Sequence, residues 1–500
     1  MNIRPLNELF IYRHRYNLGY VLLIIITVGL LTLSFSSLPP GFTKAEETSA
    51  VKSAGLVFDK NFLQHTDAVN LPYHLLQRGS LEIFGLSPMG VRGASVVLAM
   101  LSASFLFFML RRWLQQNVAV VMGILLATST WFLSIGRLGT PDIMLMFWTT
   151  LILLLATMIS QETRHYYAWK TLIIASIGLS LYTPYMDYLL ITAAIATIAQ
   201  PHLRYLLRYA EKTSITLGIF LFGAFLIPLG WNIWLHPSIA YNLLAVPTTL
   251  PDPGAFLHHL IVTINNLVNP FHVTLDILPT PLISIPIAAL AAVGLWRVVA
   301  DFHSVRSHVL LLWIAVLIPV VGLNDQPNPT ILFVPVMLLC AIGVQYLFRY
   351  WYNLFPLNPY ARFFGLIPLA VLLFSIVQFN YTRYFMALPY SENVATLYDR
   401  NPLLLHTFIT SSAQQHQKML LIVPPEQVEL YSINHAVIKD LEVVAPNSPV
   451  KSSGATSVIV AESVIANLNA SQTSLLPRGK TQLLVDDLKN DALRFRVFSQ

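Results

Sequence analysis

A single cysteine, Cys340, lies inside an apolar run, which excludes an intramolecular disulfide and a cysteine-based metal site. The thiol reads as a small core residue. Charge is scarce as well: Asp, Glu, Lys and Arg make up 11% of the chain, against 55% hydrophobic residues. Gly-rich phosphate loops, His/Cys clusters, internal repeats and low-complexity segments are missing, so neither nucleotide cradling nor structural zinc is a candidate. The 30 Lys and Arg exceed the 24 Asp and Glu only modestly. They are scattered at the ends of apolar runs rather than gathered on one face, which argues against a nucleic-acid partner.

What the chain has in abundance is long apolar sequence. Its mean hydropathy of +0.62 is too high for a soluble globular protein. Runs of near bilayer-spanning length recur at 18–38, 91–110, 118–135, 143–160, 171–182, 186–199, 215–235, 281–299, 308–323, 330–348 and 363–379. These predict an α-helical polytopic membrane protein of about eleven transmembrane helices. The two short runs meet at Tyr182-Thr183-Pro184-Tyr185, where proline bends the pair. The first run follows Arg4, Arg13 and Arg15 in the manner of a signal peptide. It is too long and lacks a small-x-small cleavage site, so a retained anchor is expected.

Lys and Arg placement sets the orientation. Arg111, Arg112, Arg164, Lys170, Arg204, Arg208 and Lys212 fall on the side of the N-terminus, whereas the long stretch 236–280 on the other side has no Lys or Arg. The expected topology is N-terminus inside and C-terminus outside.

Three outer segments are large. Segment 39–90 contains NLPYHLLQRGSLEIFGL, which predicts an amphipathic surface helix with Leu71, Leu75, Leu76 and Leu81 near one face. Segment 236–280, rich in Pro, His and Asn, reads as a structured loop over the membrane. Residues 395–500 hold 18 of the 54 charged residues. Strand-like runs recur there at Met419–Val423, Leu441–Val444, Ser457–Val460 and Leu483–Val485, which predicts a small soluble α/β domain. The domain division is therefore 1–394, transmembrane with the first outer loop, and 395–500, extracytoplasmic.

Candidate chemistry lies where outer loops converge. Glu46 and Glu47, in PPGFTKAEE, follow the first run; Asp142, in IGRLGTPDIMLMFW, opens the fourth. Arg92 enters the second run from the same side, and Arg137 shares a loop with Asp142. Two acids and two arginines at one membrane face suit a reaction in which a hydroxyl loses a proton and a phosphate departs. Each has a plainer reading. Glu46 and Glu47 can be a wet loop, Asp142 a helix cap, Arg92 a side chain snorkelling to lipid, and Arg137 the ion-pair partner of Asp142. Asp59 and Asp67 read as exposed loop residues, and Asp187 as an outward turn residue. Tyr182 and Tyr185 read as an aromatic belt more readily than as a sugar platform.

The first 160 residues resemble the GT-C superfamily of polyprenyl-phosphate-sugar-dependent glycosyltransferases, and within it glycosyltransferase family 39, the protein O-mannosyltransferases and the aminoarabinose transferases. The match is carried by PPGFTKAEE after the first run, NLPYHLLQRGSLEIFGLS next, the Arg92 of VRGAS entering the second run, and SIGRLGTPD with Arg137 and Asp142. The family's usual first acid is Asp, where this chain has Glu46, so either Glu46 or Glu47 is the matching carboxylate.

The resemblance implies a membrane glycosyltransferase using a polyprenyl-phosphate sugar and a hydroxyl-bearing acceptor on protein, lipid or glycan. It implies Glu46 or Glu47 as the base that accepts the acceptor proton, Asp142 as the carboxylate that orients the acceptor or shares in base catalysis, and Arg92 and Arg137, with Tyr73 and Tyr182, as substrate-binding residues. No cofactor is implied, and a divalent metal is left open. The late loop NDQPNP, 324–329, lacks the family's usual cation; His258, His259 and His272 are its possible substitutes. A transporter would instead show inverted repeats and midplane charges, and an oligosaccharide ligase or polymerase different outer-loop chemistry. A non-catalytic scaffold is the remaining alternative.

Overall fold

Each apolar run read from the sequence has most of its length on helices, because a helix satisfies its backbone polar groups within one segment, as a bilayer requires. The computed structural model describes residues 10–56, 67–161, 166–208, 212–247, 251–269, 282–324, 327–355, 359–390, 397–450, 457–476, 480–484 and 494–499. The helices are α1 (Phe10–Thr32), α2 (Lys44–Ala54), α3 (Leu71–Phe84), α4 (Pro88–Trp113), α5 (Gln116–Thr128), α6 (Thr130–Arg137), α7 (Ile143–Ser160), α8 (Tyr166–Ser180), α9 (Met186–Ala199), α10 (Pro201–Arg208), α11 (Lys212–Leu235), α12 (Ser238–Leu244), α13 (Pro253–Val268), α14 (Ile285–Ala300), α15 (Val305–Leu323), α16 (Phe333–Leu354) and α17 (Pro359–Tyr381). Among the described residues six helices are long and apolar enough to cross a membrane, or seven when the bent pair α5–α6 counts as one. The apolar parts of α1, α8, α9 and α14 are shorter.

Local chemistry sets several ends. The Ser87 hydroxyl accepts the Gly90 N–H at the start of α4, Pro88 occupies its first turn, and Arg111 and Arg112 sit in its last, against the negative end of the dipole. Helices α5 and α6 meet at 59°. The run Thr128-Ser129-Thr130 lies at this break, and its hydroxyls compete for backbone groups: Thr128 donates to the Ile124 carbonyl and Thr130 to that of Asn380.

Three expectations change. Helix α1 stops at Thr32 rather than near residue 38, and the chain continues through turns in which Ser34 is left-handed. The buried face of α3 is Tyr73, His74, Gln77 and Leu81, while Leu75 and Leu76 are exposed. Hydrogen-bonding partners for His74 and Gln77 on α2 and in the loop before α7 turn that polar side inward. Stretch 236–280 holds the helices α12 and α13.

The C-terminal part contains α18 (Asn401–Gln414), α19 (Val428–Val437) and α20 (Ala470–Ser474) around a five-stranded mixed sheet. Its strands are β3 (Met419–Ile422), β4 (Leu441–Val444), β5 (Ser457–Ala461), β6 (Lys480–Leu484) and β7 (Phe495–Ser499), in the order β4-β3-β5-β7-β6. Strand β3 runs parallel to β4 and β5, and all its residues are buried, as are those of β5. That is the continuous apolar signature of central parallel strands. This part docks onto the region of α2 and α3. Strand β1 (Phe42–Thr43) pairs antiparallel with β2 (Tyr398–Asp399), the Leu86 N–H donates to Asn434 Oδ1 at 3.0 Å, and Phe42, Ala50, Leu81 and Val91 share its apolar core.

Candidate active site

Sequence T-x-x-E at residues 43–46 folds as a capping box at the start of α2. The Glu46 N–H donates to Thr43 Oγ1 at 3.2 Å, and the Thr43 N–H donates to Glu46 Oε2 at 2.9 Å. From α4, Arg92 reaches across with Nε 2.6 Å from Oε1 and Nη2 3.0 Å from Oε2, a bidentate pair fully buried on both sides. The Gly139 N–H donates to Oε1 at 2.8 Å. Each carboxylate oxygen thus holds at least two donors, about the full capacity of an ionised carboxyl.

Both arginines hold backbone. Arg92 Nη1 donates to the Pro39 carbonyl at 3.1 Å and Nη2 to that of Gly41. Arg137, also fully buried, donates to the carbonyls of Leu30, Leu33 and Leu38 at 3.3, 2.7 and 2.7 Å. It therefore closes the C-terminal end of α1 and is not the ion-pair partner of Asp142. Between them the two cations grip residues 38–41. Gly41, at φ +86°, belongs there: a Cβ would stand 2.2 Å from the Asp399 carbonyl oxygen.

The loop after α6 brings in the other acid. Gly139 is fixed through both backbone groups, its N–H on Glu46 and its carbonyl accepting from Gln77 Nε2 at 3.1 Å. Asp142 follows three residues later, so its Cα lies within about 11 Å of that of Gly139. The charges of Glu46 and Asp142 both act on the Tyr73 hydroxyl, which hydrogen-bonds Ser95 Oγ at 2.8 Å.

Asp142 does not cap α7 with its side chain. Oδ2 accepts from Thr140 Oγ1 at 3.0 Å and Oδ1 from Asn328 Nδ2 at 2.6 Å. Burial pushes its carboxyl above the usual range, while the two hydrogen bonds pull it back. Unlike Glu46, it keeps some solvent exposure and spare acceptor capacity.

Other expected residues lie elsewhere. Glu47, partly exposed on α2, faces the C-terminal part: its charge and that of Asp399 help raise the Tyr431 hydroxyl on α19, after burial. Tyr182 packs with Ala68, Leu229, Ile239 and Leu243 and donates to the Phe225 carbonyl at 2.7 Å, so its polar end is committed to α11. Tyr185 is the tyrosine that approaches, its hydroxyl accepting the Asn328 N–H at 3.5 Å and sensing the charge of Asp142. Asp67 is exposed and pairs with Lys52 at 3.1 Å. His259 Nδ1 lies 3.0 Å from the Gly322 carbonyl oxygen, whereas Asp59 and His272 fall outside the described residues. Among the described residues no three His, Cys, Asp or Glu side chains gather to hold a metal.

Sequence reasoning passed over the polar frame beneath the site. Gln77 Oε1 accepts from Ser49 and Ser53 hydroxyls at 2.8 and 2.6 Å, and its Nε2 donates to the Val91 carbonyl at 2.8 Å. The Ser53 hydroxyl also lies 2.8 Å from His74 Nδ1, which ties the imidazole into the same network. Polar pairs at helical spacing, Ser49/Ser53 and His74/Gln77, were the available signal. Asn328, from a loop read as lacking a cation, was passed over for want of charge.

A protein-family profile described as dolichyl-phosphate-mannose-protein mannosyltransferase matches residues 71–234, about a third of the chain. No curated protein matches by sequence. Among solved structures, ArnT from Cupriavidus metallidurans in the apo state is similar at TM-score 0.55 and 13% identity, covering 97% of this chain and 98% of that one. The same protein bound to undecaprenyl phosphate gives 0.54 at 14%, covering 96% and 97%. The Archaeoglobus fulgidus oligosaccharyltransferase in the apo form gives 0.50 at 11%, covering 88% of this chain and 65% of that one. At these identities the likeness is one of fold.

Proposed function

We propose that this multi-pass membrane protein, built on the fold of ArnT, transfers a glycosyl unit from a polyprenyl-phosphate donor to a hydroxyl acceptor. The reaction takes place at the outer face of a bacterial cytoplasmic membrane, with the N-terminus inside and the C-terminal part outside. One observation carries this reading: on a fold shared over nearly the whole chain, Asp142 follows by three residues the Gly139 N–H that holds Glu46, the partner of Arg92. The family profile and the undecaprenyl-phosphate-bound relative support the lipid-phosphate donor class.

In the reaction, the acceptor oxygen forms a bond to the anomeric carbon as the bond from that carbon to the phosphate oxygen breaks. Asp142 takes the acceptor proton, and polyprenyl phosphate leaves with the bonding pair. A general base contributes roughly 10²–10⁴-fold. Thr140 and Asn328 fix the carboxylate, and Glu46 with Arg92 positions the loop. The test is transfer of radiolabelled sugar from synthetic polyprenyl-phosphate sugars by the purified protein, with and without EDTA. Full activity of Asp142→Asn would remove Asp142 from this role.

The saturation of Glu46 favours a second reading, binding of the lipid-linked sugar without turnover. Donor binding by the native protein with no transfer to any acceptor would decide for it.

A further inference from the structure

Helix α6 carries Thr130, Ser134 and Arg137 at i, i+4 and i+7, one face, towards the end of α17 and the π-helical turn Thr382–Ala387 that follows it. At one end the Thr130 hydroxyl meets the Asn380 carbonyl at 3.3 Å; at the other the Arg137 guanidinium lies over the Tyr384 ring, 5.4 Å from its centroid. The two facing elements joined by these contacts carry Ser134 Oγ, Arg137 Nε, Asn380 Nδ2 and Tyr384 Oη, all buried and without a hydrogen-bond partner. Asn380, at 4%, is the most exposed of the four residues. All four groups are donors or can donate.

Two features set this cluster apart from ordinary core polarity. Helical hydroxyls in this protein return their proton to the carbonyl one turn back, as Thr27, Ser102, Thr150 and Thr157 do. Ser134 does not. Arg137 is a buried cation with carbonyl partners and, among the described residues, no ion pair; it senses the ionisable Tyr384 hydroxyl and, after it, Arg92, a like charge already matched by Glu46. A buried charge of that kind is costly unless an opposite charge accompanies it.

We infer that Ser134, Arg137, Asn380 and Tyr384 form a binding site for a small monovalent anion of the chloride class. The anion accepts from the four donors and neutralises Arg137 at the end of α1. The near-complete burial of all four groups favours a small anion, which needs little room. The site is structural and does not depend on glycosyl transfer.

Thermal unfolding of the purified native protein tests this at constant ionic strength, with sodium chloride replaced stepwise by sodium gluconate. The expected result is a saturable rise of about 2–4 °C in Tm with chloride. The double variant Ser134→Ala/Tyr384→Phe, which leaves Arg137 in place, should lose that rise. A crystal grown in bromide should show an anomalous peak beside Arg137. Equal melting in both salts, a rise with inorganic phosphate alone, or an ordered water without an anomalous peak would each overturn the assignment.

Discussion

Glu46 and Arg92 stand 46 residues apart in the chain and meet fork to fork, at 2.6 and 3.0 Å, with neither side chain in contact with solvent. A carboxylate engaged in this way holds a loop in place. Replacing it with Gln leaves a buried guanidinium without its counter-charge, which costs about 3–5 kcal/mol. Glu46→Gln is expected to lower Tm and membrane yield sharply. Thermal unfolding in detergent checks this, and a variant as stable as the native protein would return Glu46 to the list of reacting groups.

Asp142→Asn is expected to behave in the opposite way. Amide for carboxylate preserves shape: the Asn oxygen accepts from the Asn328 amide, and the Thr140 hydroxyl turns to accept from the new NH2. Stability should change little, whereas transfer should fall by about 10²–10⁴-fold. The two variants measured side by side, for Tm and for turnover, separate positioning from chemistry.

The amide of Asn328 favours the ionised form of Asp142. Asn328→Ala removes that bond and raises the Asp142 carboxyl further. Less of the base form is then present at any given pH, so the acid limb of the pH–rate profile should move to higher pH. An unmoved limb with lower activity would mean that Asn328 only packs.

His74 is lowered to about 4, first by burial and then by the charge of Lys52. Between pH 6.5 and 4 the unfolded chain binds a proton that the folded one refuses, so stability is complete above 6.5 and falls as the solution is acidified. The loss is about 3 kcal/mol across that window. His74→Asn, which keeps a polar partner for Ser53, should flatten the curve of Tm against pH between these values.

Gly41→Ala would place a Cβ at φ +86° and 2.2 Å from the Asp399 carbonyl oxygen. Strand β1 would have to leave β2, at a cost of about 1–3 kcal/mol in backbone strain alone. Limited proteolysis should then cut more readily near residues 397–400, with fragments separated by mass.

Periodicity and composition were enough to locate the long apolar helices, because each crossing segment must satisfy its own backbone, but not α2, α12 and α13, which lie in stretches read as loops. They were also enough for the central strands of the C-terminal sheet, whose runs Met419–Val423 and Ser457–Val460 are apolar on both faces. They misjudged α3, since a pattern of leucines says which residues tolerate lipid, and only the partners of His74 and Gln77 say which side faces in. Phe495–Ser499 was missed because an edge-adjacent strand of mixed polarity has no distinctive run.

For the site, the sequence by itself determined the residue types and the loops that carry them: PPGFTKAEE, VRGAS and GRLGTPD, with Thr43 and Glu46 at capping-box spacing. Only the tertiary structure decided their roles. A carboxylate's chemistry depends on how many donors surround it, and the donors come from residues 43, 92 and 139 for Glu46, but from 140 and 328 for Asp142. The first set saturates its acid and the second leaves capacity to spare. That difference arises from contacts between distant segments, which spacing along the chain does not encode.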